Sequence, residues 1–112
     1  MHRPVSMQAY DIKRGHGRSL EGEGLHKILD ECYESVSEED DGYFVRHGAI
    51  REMRVWIEGN QLHVDMAMDP GVDDATAGDT IRAHNTFLER ATGFTAKQRR
   101  SRLQKKAKEG KL

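Results

Sequence analysis

The residues with the greatest capacity for chemistry crowd the end of the chain. Lys97, Arg99, Arg100, Arg102, Lys105, Lys106 and Lys108 fall within twelve consecutive positions. Cations at that density neutralise phosphates along a nucleic-acid backbone whatever its base sequence. The arginines at 99, 100 and 102 add a planar fork that grips a phosphate through two hydrogen bonds, which lysine cannot do. The pattern predicts RNA or DNA contact through Lys97, Arg99, Arg100, Arg102, Lys105 and Lys106. The alternative use of such a segment is an ordinary solvated terminal helix.

A second candidate is Arg14-Gly15-His16-Gly17-Arg18-Ser19. Its glycines let backbone N–H groups converge on an anion, and a following helix N-terminus would add positive potential. Arg14, Gly15, Gly17 and Arg18 are the residues such a site would use. The Lys-Ser/Thr ending of a P-loop is missing, so a plain strand-to-helix turn competes with the anion site. This loop is all that holds an enzyme reading open.

Other catalytic and metal chemistries find less support. The six histidines (His2, His16, His26, His47, His63 and His84) include no His-x-x-x-His pair and no His-Glu-x-x-His frame, and Cys32 has no second thiol. Neither a metal nor another cofactor is expected. Ser19 and Ser101 have no nucleophile-elbow sequence around them, and Cys32 lies on a helical stripe expected to be buried, where a thiol acts as a small hydrophobe.

At 112 residues, with 36% hydrophobic and 33% charged residues, the chain suits one small core with a wide polar fringe. No apolar run approaches a membrane span, and the first residues lack the apolar stretch of a secretory leader. A cytoplasmic protein with no membrane partner is the expectation. The net charge of −1 conceals strong polarity. Residues 96–112 carry eight bases against one acid, leaving ten bases and eighteen acids in residues 1–95. Asp30, Glu31, Glu34, Glu38, Glu39, Asp40 and Asp41 run without an intervening base and read as a solvated loop.

The elements that must position these groups follow from periodicity. Residues 8–14 alternate, with Tyr10 and Ile12 on one side, which predicts a strand. Ser19 is a possible cap for a helix with Leu25, Ile28, Leu29 and Cys32 on one stripe. Tyr43-Phe44-Val45 is a short strand candidate that Gly48 ends. In residues 49–68, Gly59-Asn60 marks a two-residue hairpin turn. That turn places Glu58 opposite Gln61, Ile57 opposite Leu62, Val55 opposite Val64 and Met53 opposite Met66. The other face then pairs Trp56 with His63 and Arg54 with Asp65. A slip of one residue would destroy both patterns.

A helix is expected from about Asp74 to Thr92, with Ala77, Ile81, Leu88 and Ala91 facing inward, Phe87 beside them and His84 at the edge of the core. Gly93 fits its left-handed cap. Thr95 and Gln98 match a capping box that starts a third helix, on which Ala96, Leu103 and Ala107 form a narrow apolar stripe.

The order β-α-β-β-β-α-α implies an α+β two-layer domain, an antiparallel sheet with helices on one face. It resembles a TATA-binding-protein-like half-repeat or a split-βαβ layout. Residues 1–7 are expected as a flexible lead, 8–94 as the domain and 95–112 as the basic helix. In this layout Arg54, Trp56 and His63 lie on the open face of the sheet, suited to base stacking or to a protein interface that makes a homodimer. An interaction or homodimerisation module is thus the alternative to nucleic-acid binding.

Tyr10-Asp11-Ile12-Lys13-Arg14-Gly15, Asn85-Thr86-Phe87-Leu88-Glu89-Arg90-Ala91-Thr92-Gly93 and Ala96-Lys97-Gln98-Arg99-Arg100 together resemble a small archaeal family from methanogens and halophiles, a domain of unknown function. The resemblance runs from Met7 over most of the chain and implies an archaeal cytoplasmic protein. It carries no activity and no site residues.

Overall fold

The structure, a computed structural model, describes residues 5–39 and 41–108. Its elements are β1 (Val5–Asp11), α1 (Gly24–Cys32), β2 (Ser35–Glu39), β3 (Gly42–His47), β4 (Ile50–Glu58), β5 (Gln61–Met68), α2 (Asp74–Thr92) and α3 (Ala96–Lys108), with a 3₁₀ turn at His16–Leu20 before α1. The architecture is α+β. Five antiparallel strands lie in the order β1-β5-β4-β3-β2, so β1 and β2 form the two edges. Every hydrogen-bonded pair in the sheet is antiparallel, and β1 and β2, joined through α1, run in the same direction at opposite edges with β5, β4 and β3 between them, the arrangement of a split βαβ unit.

The β4–β5 hairpin has the expected register throughout: Met53↔Met66, Arg54↔Asp65, Val55↔Val64, Trp56↔His63, Ile57↔Leu62 and Glu58↔Gln61. Gly59 turns it with a φ of 62°, and Asn60 needs no positive φ. The strand β2 corrects the expected loop. Its acids hide a two-residue alternation in which Val36 pairs with Val45 and packs on the core, while Ser37 and Glu39 face the other way. Charged side chains suit an edge strand, where they discourage pairing with another chain. The first strand begins at Val5, three residues earlier than periodicity indicated, and ends at Asp11. Residues 1–4 of the expected flexible lead lie outside the described residues, as do Asp40 and residues 109–112.

The core joins one sheet face to α1 and α2. Val45, Met53, Val55, Leu62 and Val64 pack with Leu25, Ile28, Leu29, Tyr33, Phe87, Leu88 and Ala91. Ser19 does not cap α1. Its hydroxyl donates to His16 O at 2.7 Å inside the 3₁₀ turn, and the turn packs so tightly on the helix start that a Cβ at Gly24 would meet Ser19 O at 1.9 Å.

The second helix begins where expected, capped by Asp73, which accepts from Thr76 N at 3.0 Å. Gly93 ends it with a φ of 80°. Its buried face, however, is rotated from the expected stripe: Ile81 is 54% exposed and Thr80 is buried. Thr80 Oγ1 accepts from the buried Ala49 N–H at 2.9 Å and donates to Thr76 O at 2.7 Å, so a polar demand of the β3–β4 turn sets the helix rotation.

Candidate nucleic-acid interface

The third helix starts as its capping box predicts, with Gln98 N donating to Thr95 Oγ1 at 3.2 Å and Thr95 N to Gln98 Oε1 at 2.9 Å. At 3.6 residues per turn, Arg99, Arg102, Leu103 and Lys106 fall within an arc of about 100° on one side. Lys97, Arg100, Ser101, Gln104 and Lys105 fall within about 140° on the other. The docked side is the basic arc, not the Ala96-Leu103-Ala107 stripe. Ala96 and Ala107 are exposed, Leu103 is half-buried, and Arg99 is only 6% exposed.

Each inward base has a structural task. Arg99 Nη1 donates to Phe94 O at 2.6 Å and Nη2 to Asn85 Oδ1 at 3.4 Å. Burial pulls the Arg99 pKa below its ordinary value. Arg102 Nη2 and Nε donate to Asp11 Oδ2 at 3.0 and 3.1 Å, and its guanidinium lies 4.6 Å from the Phe94 ring centroid. Lys106 Nζ donates to Asp11 Oδ1, to which Gln61 Nε2 also donates at 3.1 Å. Burial alone would raise the pKa of Asp11, but the hydrogen bonds from Lys106, Gln61 and Arg102 outweigh it and hold the carboxyl below the ordinary value.

Three of the six expected phosphate contacts are therefore turned toward the protein. Lys97, Arg100 and Lys105 are exposed, and no ion pair joins them to another described residue.

The glycine-rich stretch does not form an open cradle at His16. Gly15 supplies a left-handed φ of 84°, and the His16 N–H is already engaged by Lys13 O at 2.8 Å. The loop instead docks on the end of α2. Lys13 N donates to Thr92 O at 2.8 Å, and His16 Nε2 to Arg90 O at 2.6 Å. A Cβ at Gly93 would come within 3.0 Å of both Lys13 and His16. This docking places Lys13 beside Gly93, three residues before α3 begins, and Lys13, Arg14 and Arg18 are exposed. Two basic segments more than seventy residues apart in sequence are thus linked through the junction at Gly93. Lys13 is a member that pattern reading missed. The signal available was its place in the Lys13-Arg14 pair at the end of the first alternating segment.

The open sheet face holds the third group of candidates. The Trp56 and His63 rings stack at 5.3 Å with planes 9° apart, both half-buried. Arg54 Nε lies 3.4 Å from Glu39 Oε1, and its guanidinium sits 5.3 Å from the Phe44 centroid, with that of Arg46 at 5.4 Å. Phe44 and Arg46 were not singled out in the sequence, although their alternation with Val45 places them on this face.

The remaining described histidines serve local contacts. His26 lies between Asp30 and Glu38 at 3.3 and 3.4 Å, His47 Nδ1 accepts from Glu34 N at 3.1 Å, and His84 Nδ1 meets the Tyr33 hydroxyl at 2.9 Å. Cys32 is half-buried near Arg90, and burial pushes its thiol pKa up. Among the described residues no group of three His, Cys, Asp or Glu side chains is placed to hold a metal ion, and no helix is long and apolar enough to cross a membrane.

Residues 7–105 match the family described as Domain of unknown function (DUF5611), and the chain belongs to that family. No curated protein and no solved structure matches the chain.

Proposed function

We propose that the chain is a nucleic-acid-binding module whose phosphate contacts are Lys97, Arg100 and Lys105 on the outer face of α3, continued by Lys13, Arg14 and Arg18. The observation that carries this reading is the division of α3 into two opposed basic arcs. One arc is engaged by Asp11, Asn85 and the Phe94 carbonyl, and the other meets solvent without a partner among the described residues. A helix that needed bases only for solubility would gain nothing from anchoring so firmly by a second set of them. The eighteen acids of residues 1–95 repel polyanions elsewhere, so binding is confined to this end.

The test is a triple substitution, Lys97→Gln, Arg100→Gln and Lys105→Gln, titrated into labelled duplex at several salt concentrations. Three lost phosphate contacts reduce the slope of log K against log salt by about 2.7, at about 0.9 per contact. The fold is retained, because none of the three side chains packs inward. Binding by the triple variant that matches the native protein, or no binding by either, overturns the proposal.

A further inference from the structure

The open sheet face is built differently from the basic end. Its Arg54 is balanced by Glu39 at 3.4 Å and lies opposite Asp65 in the register, so the face has little net charge with which to attract phosphates. It presents flat rings instead. Trp56 has His63 on one side, and on the other Gly42, which carries no side chain. A Cβ at Gly42 would sit 2.9 Å from Trp56 Cβ and 2.2 Å from Val55 O, so the position requires glycine. Phe44, two residues along β3, lies diagonally from Trp56, where Cβ atoms are roughly 7–8 Å apart. Two guanidinium groups flank its ring.

This face is continuous with the basic end. Asp11, which holds Arg102 and Lys106, alternates with Ala9, so both lie on the Trp56 side of the sheet. Ala9 pairs with His63, and His63 with Trp56. Trp56 is therefore two strands in from the α3 corner, about 10 Å at 4.8 Å per strand. Ala9 contributes only a methyl group between Asp11 and the Trp56–His63 pair.

We infer that the Trp56–His63 stack and Phe44 form a base-stacking platform that selects single-stranded nucleic acid, its phosphates held at the basic end and neighbouring bases laid across the sheet. The inference rests on the proposed function. It goes further by naming the ligand class and a second set of contact residues. Bases paired in a duplex cannot reach these rings, whereas unpaired bases of any sequence offer a π-face to them.

The chain contains a single tryptophan, so its emission reports on this surface directly. The full chain is titrated with a labelled single-stranded oligonucleotide and with the matching duplex, following label anisotropy and Trp56 emission together. The single strand is expected to quench Trp56, and the duplex to raise anisotropy without quenching. Trp56→Leu should weaken the single strand about tenfold or more while leaving duplex affinity unchanged. Trp56→Phe should restore most of the loss, which a merely destabilised sheet would not do. Single-strand binding with unchanged Trp56 emission, or equal losses for both ligands, overturns this inference and leaves the basic-end reading intact. No anisotropy change with either ligand overturns both. Trp56 emission that shifts with protein concentration alone would mark the face as a contact between copies and would also overturn it.

Discussion

Arg102 reaches back ninety-one residues to Asp11, placing two nitrogens on one carboxylate oxygen, while Lys106 takes the other oxygen. A single acid at the end of β1 thus occupies two bases of α3. It does what a phosphate would do, and it competes with one.

Asp11→Asn removes that competitor. The two freed bases should raise duplex affinity and steepen the salt slope by up to about 1.8. The same substitution tests the pH dependence of the docked helix. A carboxyl whose folded pKa lies below its ordinary value contributes stability that is present above that value and is lost as pH falls through the folded pKa. Native α3 should therefore loosen below about pH 4, and the asparagine variant should show no such acid step. Helix content and melting temperature across pH 2–6 measure both. An affinity that is unchanged in Asp11→Asn would show that Asp11 is only an anchor.

Arg99 and Arg100 are adjacent in sequence and opposite in role. Arg99→Ala leaves Phe94 O and Asn85 Oδ1 without their donor beneath the helix, which should cost on the order of 1–3 kcal/mol. Arg100→Ala should change stability by less than about 0.5 kcal/mol. Thermal unfolding of the two single variants distinguishes them, and similar losses for both would contradict the two-arc description of α3.

What the sequence made legible depended on how local the determining physics was. In the β4–β5 hairpin the Gly59-Asn60 turn, the apolar face and the Trp56–His63 and Arg54–Asp65 pairs all specify one register, so pattern reading recovers it. The cap of α3 was legible for the same reason, since Thr95 and Gln98 answer each other within one turn. The strand β2 was not, because its single apolar residue, Val36, lies between two serines within an acidic stretch, and its strand character comes from Val45 across the hairpin. The docked face of α3 was misread because Ala96 and Ala107 are the residues that look apolar, whereas the partners that orient the helix are Asp11 and Asn85, distant in sequence. The rotation of α2 shows the same limit. Ile81 fits the stripe, but the buried Ala49 N–H demands Thr80 instead.

That demand can be measured. Thr80→Val keeps the shape of the side chain and removes the hydroxyl, leaving the Ala49 N–H buried without an acceptor. The expected loss is about 1–3 kcal/mol, because an unpaired buried donor bears its full desolvation cost. Denaturant unfolding should show a lower midpoint with an unchanged slope. A neutral result would mean that helix rotation is set by apolar packing after all.

A second acid sensitivity comes from His84. Burial, with the Arg99 guanidinium adding to it, pushes the imidazole pKa down to about 4, so the ring is neutral and its Nδ1 accepts from the Tyr33 hydroxyl at 2.9 Å. In the unfolded chain the same ring titrates near 6.5. Below that value the unfolded state takes up a proton that the folded state refuses, so stability is full above pH 6.5 and declines as pH falls toward 4. Protonation in place would set a second cation beside Arg99 and abolish the acceptor for Tyr33. Between pH 7 and pH 4.5 the native chain should lose about 2 kcal/mol more than His84→Gln, which keeps an amide acceptor but does not titrate. This window lies above the acid step of Asp11, so the two variants remove different parts of the pH profile. Unfolding free energies for the native and His84→Gln chains at half-unit pH steps decide it. Parallel profiles through that window would show that His84 is solvated enough to charge without opposing the fold.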